Sequence, residues 1–380
     1  MTRTTMLRSR SLLALLLLAA PASAAAQFGF TSDRGVIIGA RARRYDYGLG
    51  YPIHDVRQLA IPIGVVFPLG SRLSIDLGTA FATTTTTDSS LNQHTLAGFT
   101  DTQLRGSYVF GRDAVVASLM LNLPTGETTL DLDQFQVSSS ISSNFLLFPV
   151  NSYGNGFSVT SGLAGAVPAG AWNFGLAVSG RYNSTFQPFS DTAQAAVRYQ
   201  PGLEGRVRVG VDRLLGRSRI AAGFTFSTFT NDEFTGLAVG PGSEPYAPGQ
   251  RYIGELNLAS PIGRSSLSFY LWDYFRQSTP DTLVATANEE NVFTGGTMMG
   301  IPLSPFIVFQ PTAEARLYNA SGNGSGTLIG FAATVRFIVG NHWTLTPGGR
   351  YDFGNIASTG IGGAKSLTGW EGSFLIRYGW

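Results

Sequence analysis

The chain has 380 residues, 43% of them hydrophobic and only 13% charged, where about 25% charged is usual for a soluble domain. Its 26 basic and 24 acidic residues nearly cancel, which gives no footing for nucleic-acid binding. There is no cysteine, so disulfides, thiol chemistry and a cysteine-linked lipid anchor are excluded.

Residues 1–26 read as a cleaved export signal. Arg3, Arg8 and Arg10 precede the apolar run Ser11–Ala20, Pro21 interrupts it, and Ala22-Ser23-Ala24 or Ala24-Ala25-Ala26 offers small residues for cleavage. That run is too short to cross about 30 Å of hydrocarbon as a helix. Without its three arginines, 23 basic residues face 24 acidic ones. From 27 to 380 no stretch is long and apolar enough for a membrane helix. Mean hydropathy is nevertheless +0.10, and 47 residues are glycine. These features together predict one all-β domain over 27–380: a transmembrane antiparallel up-and-down β-barrel with short periplasmic turns and long extracellular loops.

Taken in chain order, the periodicity is two. Val36, Ile38 and Ala40 oppose Arg41 and Arg43, although Arg44 and later Arg57 break the alternation, which places them at a rim. Leu73, Ile75, Leu77 and Phe81 oppose Asp76, and Leu119, Leu121 and Leu123 follow on the strand begun by Val115. Asp101 and Arg105 are expected to face inward before it. Trp172, Phe174, Leu176, Val178 and Tyr182 leave Arg181 inside. Leu203, Val207, Val209 and Val211 leave Glu204, Arg206 and Arg208 inside, and Leu256, Leu258 and Ile262 leave Arg251 and Glu255 inside. Asn291–Ile301 is short and rich in glycine and methionine. Ile307, Phe309, Ala313 and Leu317 oppose Glu314 and Arg316. Ile329, Phe331 and Val335 oppose Arg336, while Trp343, Leu345, Tyr351 and Phe353 oppose Arg350 and Asp352. Charges that avoid the apolar face are what a barrel in lipid requires, since arginine on that face at mid-bilayer costs about 2–4 kcal/mol.

Short links such as Pro68–Arg72, Phe110–Asp113, Leu215–Ser218, Pro261–Ser265 and Val339–His342 alternate with longer ones. The longer ones are Thr83–Thr95, Pro124–Gly154, Ser184–Ala195, Asn231–Gln250, Gln277–Glu290, Asn319–Gly326 and Asn355–Ser366. The alternation gives about sixteen strands, with fourteen as the alternative. In the last one, Trp370, Phe374, Ile376, Tyr378 and Trp380 face lipid, and Glu371, Ser373 and Arg377 face the lumen. An aromatic chain end preceded by apolar residues at every second position resembles the C-terminal assembly signal of bacterial outer-membrane proteins. It implies the barrel-assembly machinery as a partner, beside outer-membrane lipid and lipopolysaccharide.

The three histidines, His54, His94 and His342, are dispersed. No catalytic site, metal or cofactor is expected. The inward arginines have two readings: Arg–carboxylate pairs that stiffen the interior, or a constriction selecting anions or polar solutes. The longest link also carries Phe145-Leu146-Leu147-Phe148, an apolar patch that calls for burial. It could fold into the barrel mouth, capture an apolar solute, or pack locally on the rim.

That link begins Leu121-Asn122-Leu123-Pro124-Thr125-Gly126-Glu127. Through Pro124, Thr125, Gly126 and Glu127 it resembles a strand-end motif of a bacterial barrel family assigned to the meta-cleavage pathway of phenol degradation. That family is a transporter group akin to fatty-acid channels and porins. The resemblance implies passive uptake of small aromatic or hydrophobic solutes. A general diffusion porin, a barrel enzyme and a structural or adhesive barrel are the other readings.

Overall fold

The computed structural model describes residues 34–111, 115–190, 197–236, 247–279, 288–321, 324–358 and 362–380. The expected export signal lies outside them. Among the described residues, nineteen strands and one helix follow in order. The first group is β1 (Gly35–Tyr47), β2 (Ile53–Leu69), β3 (Leu73–Asp88), β4 (Gln93–Phe99), β5 (Thr102–Phe110), β6 (Val115–Leu123), α1 (Leu132–Ile141), β7 (Ser158–Ala169) and β8 (Trp172–Asn183). Then come β9 (Arg198–Gln200), β10 (Glu204–Leu215), β11 (Ser218–Phe229), β12 (Glu233–Thr235), β13 (Arg251–Ile262) and β14 (Ser265–Arg276). The last are β15 (Glu290–Ser304), β16 (Ile307–Ala320), β17 (Gly324–Val339), β18 (Trp343–Ser358) and β19 (Lys365–Tyr378).

Every neighbouring pair is antiparallel, and β1 closes the sheet by pairing both β2 and β19, from Val36↔Tyr378 to Tyr47↔Leu367. β4 and β5 are two pieces of one stave: β3 pairs β4 along its upper part and β5 along its lower part. The result is a closed barrel of sixteen staves. β9 and β12 form a separate small ribbon above it. Closure matters because hydrocarbon offers no partner to an unpaired peptide group.

The short connections are tight because glycine takes the left-handed conformation there, at φ +62° in Gly216 and +61° in Gly263. On the opposite side the strands run further than their sequence suggests. Thr83–Thr95 was expected as a loop, yet Thr83–Asp88 continues β3 and Gln93 begins β4. Five consecutive threonines show no apolar alternation, but β-branched side chains favour extended backbone. Here Thr84 and Thr86 turn inward and are fully buried. Strands also take most of the expected loop Asn319–Gly326 and half of Asn355–Ser366. β15 is 15 residues long rather than short.

The outer face is apolar and exposed, with Phe174, Leu176, Val178, Val207, Val209, Phe269, Leu271, Phe331 and Trp370 along it. Near the short turns it becomes aromatic: Trp343 lies near Tyr378 (4.7 Å), Tyr378 near Trp380 (6.0 Å), and Trp380 near Phe67 (6.2 Å), each pair tilted. The side chains of Phe374, Ile376, Tyr378 and Trp380 share this outer parity. Two charges that break the inner rule neutralise each other: Arg44 binds Asp46 at 2.6 Å near the loop-side end of β1. Asp273 lies outside as well, accepting a 2.8 Å hydrogen bond from Asn291 close to the same rim.

The face assignment has a direct test. Val209, 47% exposed on the outer face, replaced by Arg should cost about 2–4 kcal/mol in vesicle-based denaturant unfolding. Asn257→Arg, at a lumen-facing position of β13, should cost well under half of that.

Candidate functional site: a loop folded into the lumen

The segment between β6 and β7 does not stand above the barrel. It folds inward, and its base is fixed where the β4–β5 stave breaks at Thr100–Asp101. Asp101, expected to face the lumen, turns to this loop. Its carboxylate accepts from the amides of Gly126 (3.0 Å) and Asn155 (2.7 Å) and from Asn122 Nδ2 (2.7 Å). Its own amide donates to the Tyr153 carbonyl at 3.0 Å. Thr125 Oγ1 donates to the Thr100 carbonyl (3.1 Å) and accepts from the Thr102 amide (2.8 Å). Gly126 runs so close to Thr100, Asp101 and Tyr153 that a Cβ would collide with their backbone. Three of the four motif residues thus have local roles: Pro124 ends β6, and Thr125 and Gly126 form the hasp. Glu127 follows, its backbone against Gly154.

Beyond the hasp comes α1, which sequence reading missed. A capping box opens it: the Gln134 amide donates to Asp131 Oδ1 (2.8 Å) and the Asp131 amide to Gln134 Oε1 (3.1 Å). Asp131-x-x-Gln134 ahead of Val137 and Ile141 was the available signal. Val137 and Ile141 are fully buried, and Ser140 Oγ lies 3.0 Å from Thr86 Oγ1 of β3. His94 Nδ1 of β4 meets Asp133 of α1 at 3.1 Å, with Asp88 at 3.8 Å on its other side. Asp88 caps the β3–β4 link, and hydrogen bonds from Asn92 and Ser90 hold its carboxyl below the usual value.

The expected apolar patch lies inside the barrel. Phe145, Leu146 and Phe148 are buried, and they join Val150, Tyr153, Tyr45, Val56, Leu96, Val292, Leu328, Ile356 and Leu367 in one hydrophobic cluster. Phe145 stacks on Tyr318 of β16 at 5.3 Å, and Phe148 meets Tyr45 of β1 edge-on at 5.6 Å. Leu147 behaves differently. It stays 37% exposed and takes φ +51°, a costly conformation for a leucine.

That turn is held by its carbonyls. Arg316 Nη1 donates to Phe145 O (2.8 Å), Arg43 Nη1 to Leu146 O (3.0 Å) and to Leu147 O, and Tyr45 OH to Leu146 O (3.0 Å). Gln58 of β2 pairs with Val150 in both directions, at 2.7 and 2.8 Å. Tyr153 OH donates to Leu96 O (2.9 Å) and lies 2.8 Å from Thr84 Oγ1.

The arginines that hold the loop are themselves neutralised on the wall. Glu371 takes Arg41 at 2.9 Å and Arg43 at 2.5 Å. Glu314 takes Arg316 and Arg350, each at 2.7 Å, and accepts from Tyr270 OH at 2.6 Å. Asp352 takes Arg350 at 2.8 Å and accepts from Tyr45 OH at 3.0 Å. Two of these bonds cross an intervening strand because glycine lies between, Tyr270–Glu314 and Arg350–Glu314: a Cβ at Gly296 would strike the Tyr270 ring, and one at Gly330 would strike Asp352 and Arg350. Arg208 reaches over Gly223 to Glu255 in the same way.

The remaining expected residues sit on the lumen face away from the loop. Arg206 binds Glu204 (2.6 Å), Arg181 Nε donates to Ser158 Oγ (3.2 Å), and Arg105 binds Asp76 (2.5 Å) near the short turns. Arg336 and Arg377 share the lumen parity near the same end. Sequence reading did not single out Tyr45, Gln58, Thr84, Tyr153, Tyr270, Trp272 or Tyr274. The inner parity of β14, Tyr270-x-Trp272-x-Tyr274, was the signal for the last three.

No protein-family model and no curated protein matches the chain. The resemblance carried by Pro124–Glu127 therefore has no family match behind it. Among solved structures, the CymD monoaromatic hydrocarbon channel is similar at 10% identity and TM-score 0.41, over 96% of this chain and 92% of that one. An outer-membrane channel of Pseudomonas putida F1 is similar at 14% identity and TM-score 0.41, over 70% and 94%. A bacterial polysaccharide outer-membrane secretin is similar at 10% identity and TM-score 0.44, over 91% and 99%. Likeness at this level carries no chemistry from those proteins to this one.

Arg316 is 2% exposed and bonded to both Glu314 and the loop. Arg316→Gln should weaken the loop's attachment by about 1.5–3 kcal/mol, the range for a hydrogen bond to a charged group. Backbone hydrogen exchange should accelerate over residues 144–150 while the barrel strands stay protected.

Proposed function

We propose that the chain is an outer-membrane channel for passive, selective diffusion of small solutes, with its lumen narrowed by the folded-in loop. The observation that carries this reading is the loop's fastening to the wall, through Arg43 and Tyr45 on β1, Gln58 on β2 and Arg316 on β16. An open general porin needs a wide aqueous lumen. Here the loop side of the interior is occupied by a hydrophobic cluster around Phe145, Leu146 and Phe148.

The closed sheet and its exposed apolar outer face support a bilayer as the barrel's surroundings, with lipid and lipopolysaccharide as neighbours. Phe374, Ile376, Tyr378 and Trp380, outward on β19, suit a signal read by the assembly machinery. Aromatic or hydrophobic compounds are the first solute class. Tyr270, Trp272 and Tyr274 give β14 an aromatic inner face beside the loop, where Tyr274 shares a hydrogen bond with Asn144.

Planar-bilayer recording tests the reading. The intact protein should show small unitary conductance, and deletion of residues 128–152 should raise it several-fold while the barrel keeps its heat-modifiable migration. Large ohmic conductance from the intact protein would instead favour a general porin. Absence of current from both forms would remove the channel reading.

A further inference from the structure

The loop bonds to β1–β6 on one side of the lumen, to β14 and β16 on the other, and through Thr129 and Leu130 to the link after β8. The inner wall from β8 to β13 faces the held turn across the barrel. At the loop-side ends of its strands this wall is rich in arginine. Arg181 on β8, Arg206 on β10, Arg251 on β13 and Arg276 on β14 all point inward there, where the carboxylates on the same faces are Glu204 and, on β15, Glu290.

The register brings these groups together. Arg181 is opposite Glu204, Arg206 is opposite Ser227, Ser227 is opposite Arg251, Arg251 is opposite Arg276, and Arg276 is opposite Glu290. Glu204 feels the charges of Arg206, Arg251 and Arg181 together, and Glu290 those of Arg276 and Arg251. Four guanidinium groups thus share Glu204 and Glu290, with Asp101 also acting on Arg181. Arg208 and Glu255, one step deeper, neutralise each other and do not change the balance.

Arg206 is held by Glu204 (2.6 Å) and Arg276 by Glu290 (3.2 Å), and both keep open area, 25% and 30%. Arg251 is the exception. Its guanidinium lies over the Phe229 ring at 4.7 Å, and neither its Nε nor that of Arg276 has a hydrogen-bond partner among the described residues. A buried N–H of this kind is costly unless something accepts from it. Phe229 on one side, and Tyr274 stacked near Trp272 (5.9 Å) on the other, add aromatic surface to the charge.

We infer that this arc is a binding site for the carboxylate of a small aromatic acid, with Arg251 and Arg276 as principal donors and the ring resting against Phe229. The planar fork of arginine matches a carboxylate in two-point geometry, and aromatic faces suit both the guanidinium and a ring. The site rests on the channel reading only in that its ligand is called a transported solute.

Calorimetric titration of the full-length protein in detergent tests it, with benzoate, acetate and benzyl alcohol as probes. Benzoate should bind at least about tenfold more tightly than either comparator, and R251Q/R276Q should lose about tenfold in benzoate affinity. Benzyl alcohol should bind that variant and the unaltered protein alike, and heat-modifiable migration should show both folded. Benzoate no tighter than benzyl alcohol would overturn the charge assignment, and acetate equal to benzoate would overturn the aromatic one. Benzoate affinity unchanged in R251Q/R276Q would overturn the site. Bilayer current is measured separately: benzoate binding without conductance would sink the channel reading and leave the site standing.

Discussion

A peptide group facing hydrocarbon has no water to bond, so every strand of the barrel must find two neighbours. The pairing of β1 with β19 meets that demand for the two strands that would otherwise be edges. The remaining features follow from it. Once the sheet is closed, each strand has one face toward lipid and one toward the interior, and a shift of one residue would exchange them. The aromatic belt, the inward charges and the position of the loop all depend on that register.

Closure creates a second problem, because a barrel of this size encloses more space than its wall side chains can fill. Glycine and arginine shape that space together, and the inward loop occupies part of it. Lumen-facing glycines let long side chains lie along the wall and reach acceptors across an intervening strand, as Tyr270 does over Gly296 and Arg350 over Gly330. The resulting Arg–carboxylate belt presents spare guanidinium N–H groups to the centre. Loop carbonyls at Phe145, Leu146 and Leu147 accept them, so a polar wall can hold an apolar segment. A buried ion pair contributes little net stability by itself; here its geometric role is to position a donor.

Much of the fold was legible in the sequence, because the bilayer imposes a period of two that any strand must show. The inward placement of Glu204, Arg206, Arg208, Glu255, Glu314, Arg316, Arg350 and Asp352 follows from that parity alone. What the parity could not convey was contact. It placed Asp101 in the lumen, but the residue caps a loop base made by Asn122, Gly126 and Asn155. It marked Phe145–Phe148 as needing burial without identifying Arg43 or Arg316 as the groups that provide it. The threonine run 83–87 looked like a loop because its inner face is polar, and only the loop packed against it accounts for that face. Helix α1 was announced by its capping box alone, a signal of two residues.

The loop's attachments also set an order on folding. Gly126 and Asp101 are close in the chain, so the hasp can form once the staves around β5 and β6 exist. The turn at Phe145–Leu147 cannot be completed then. One of its anchors, Arg43, lies 103 residues upstream of Leu146, and another, Arg316, lies 171 residues downstream of Phe145. Contacts of such separation form late. A barrel whose final strands had not arrived would keep its interior unfilled, with a hydrophobic segment free to leave. The turn is thus a clasp between the first and last parts of the chain, and its seating records that the circle is complete.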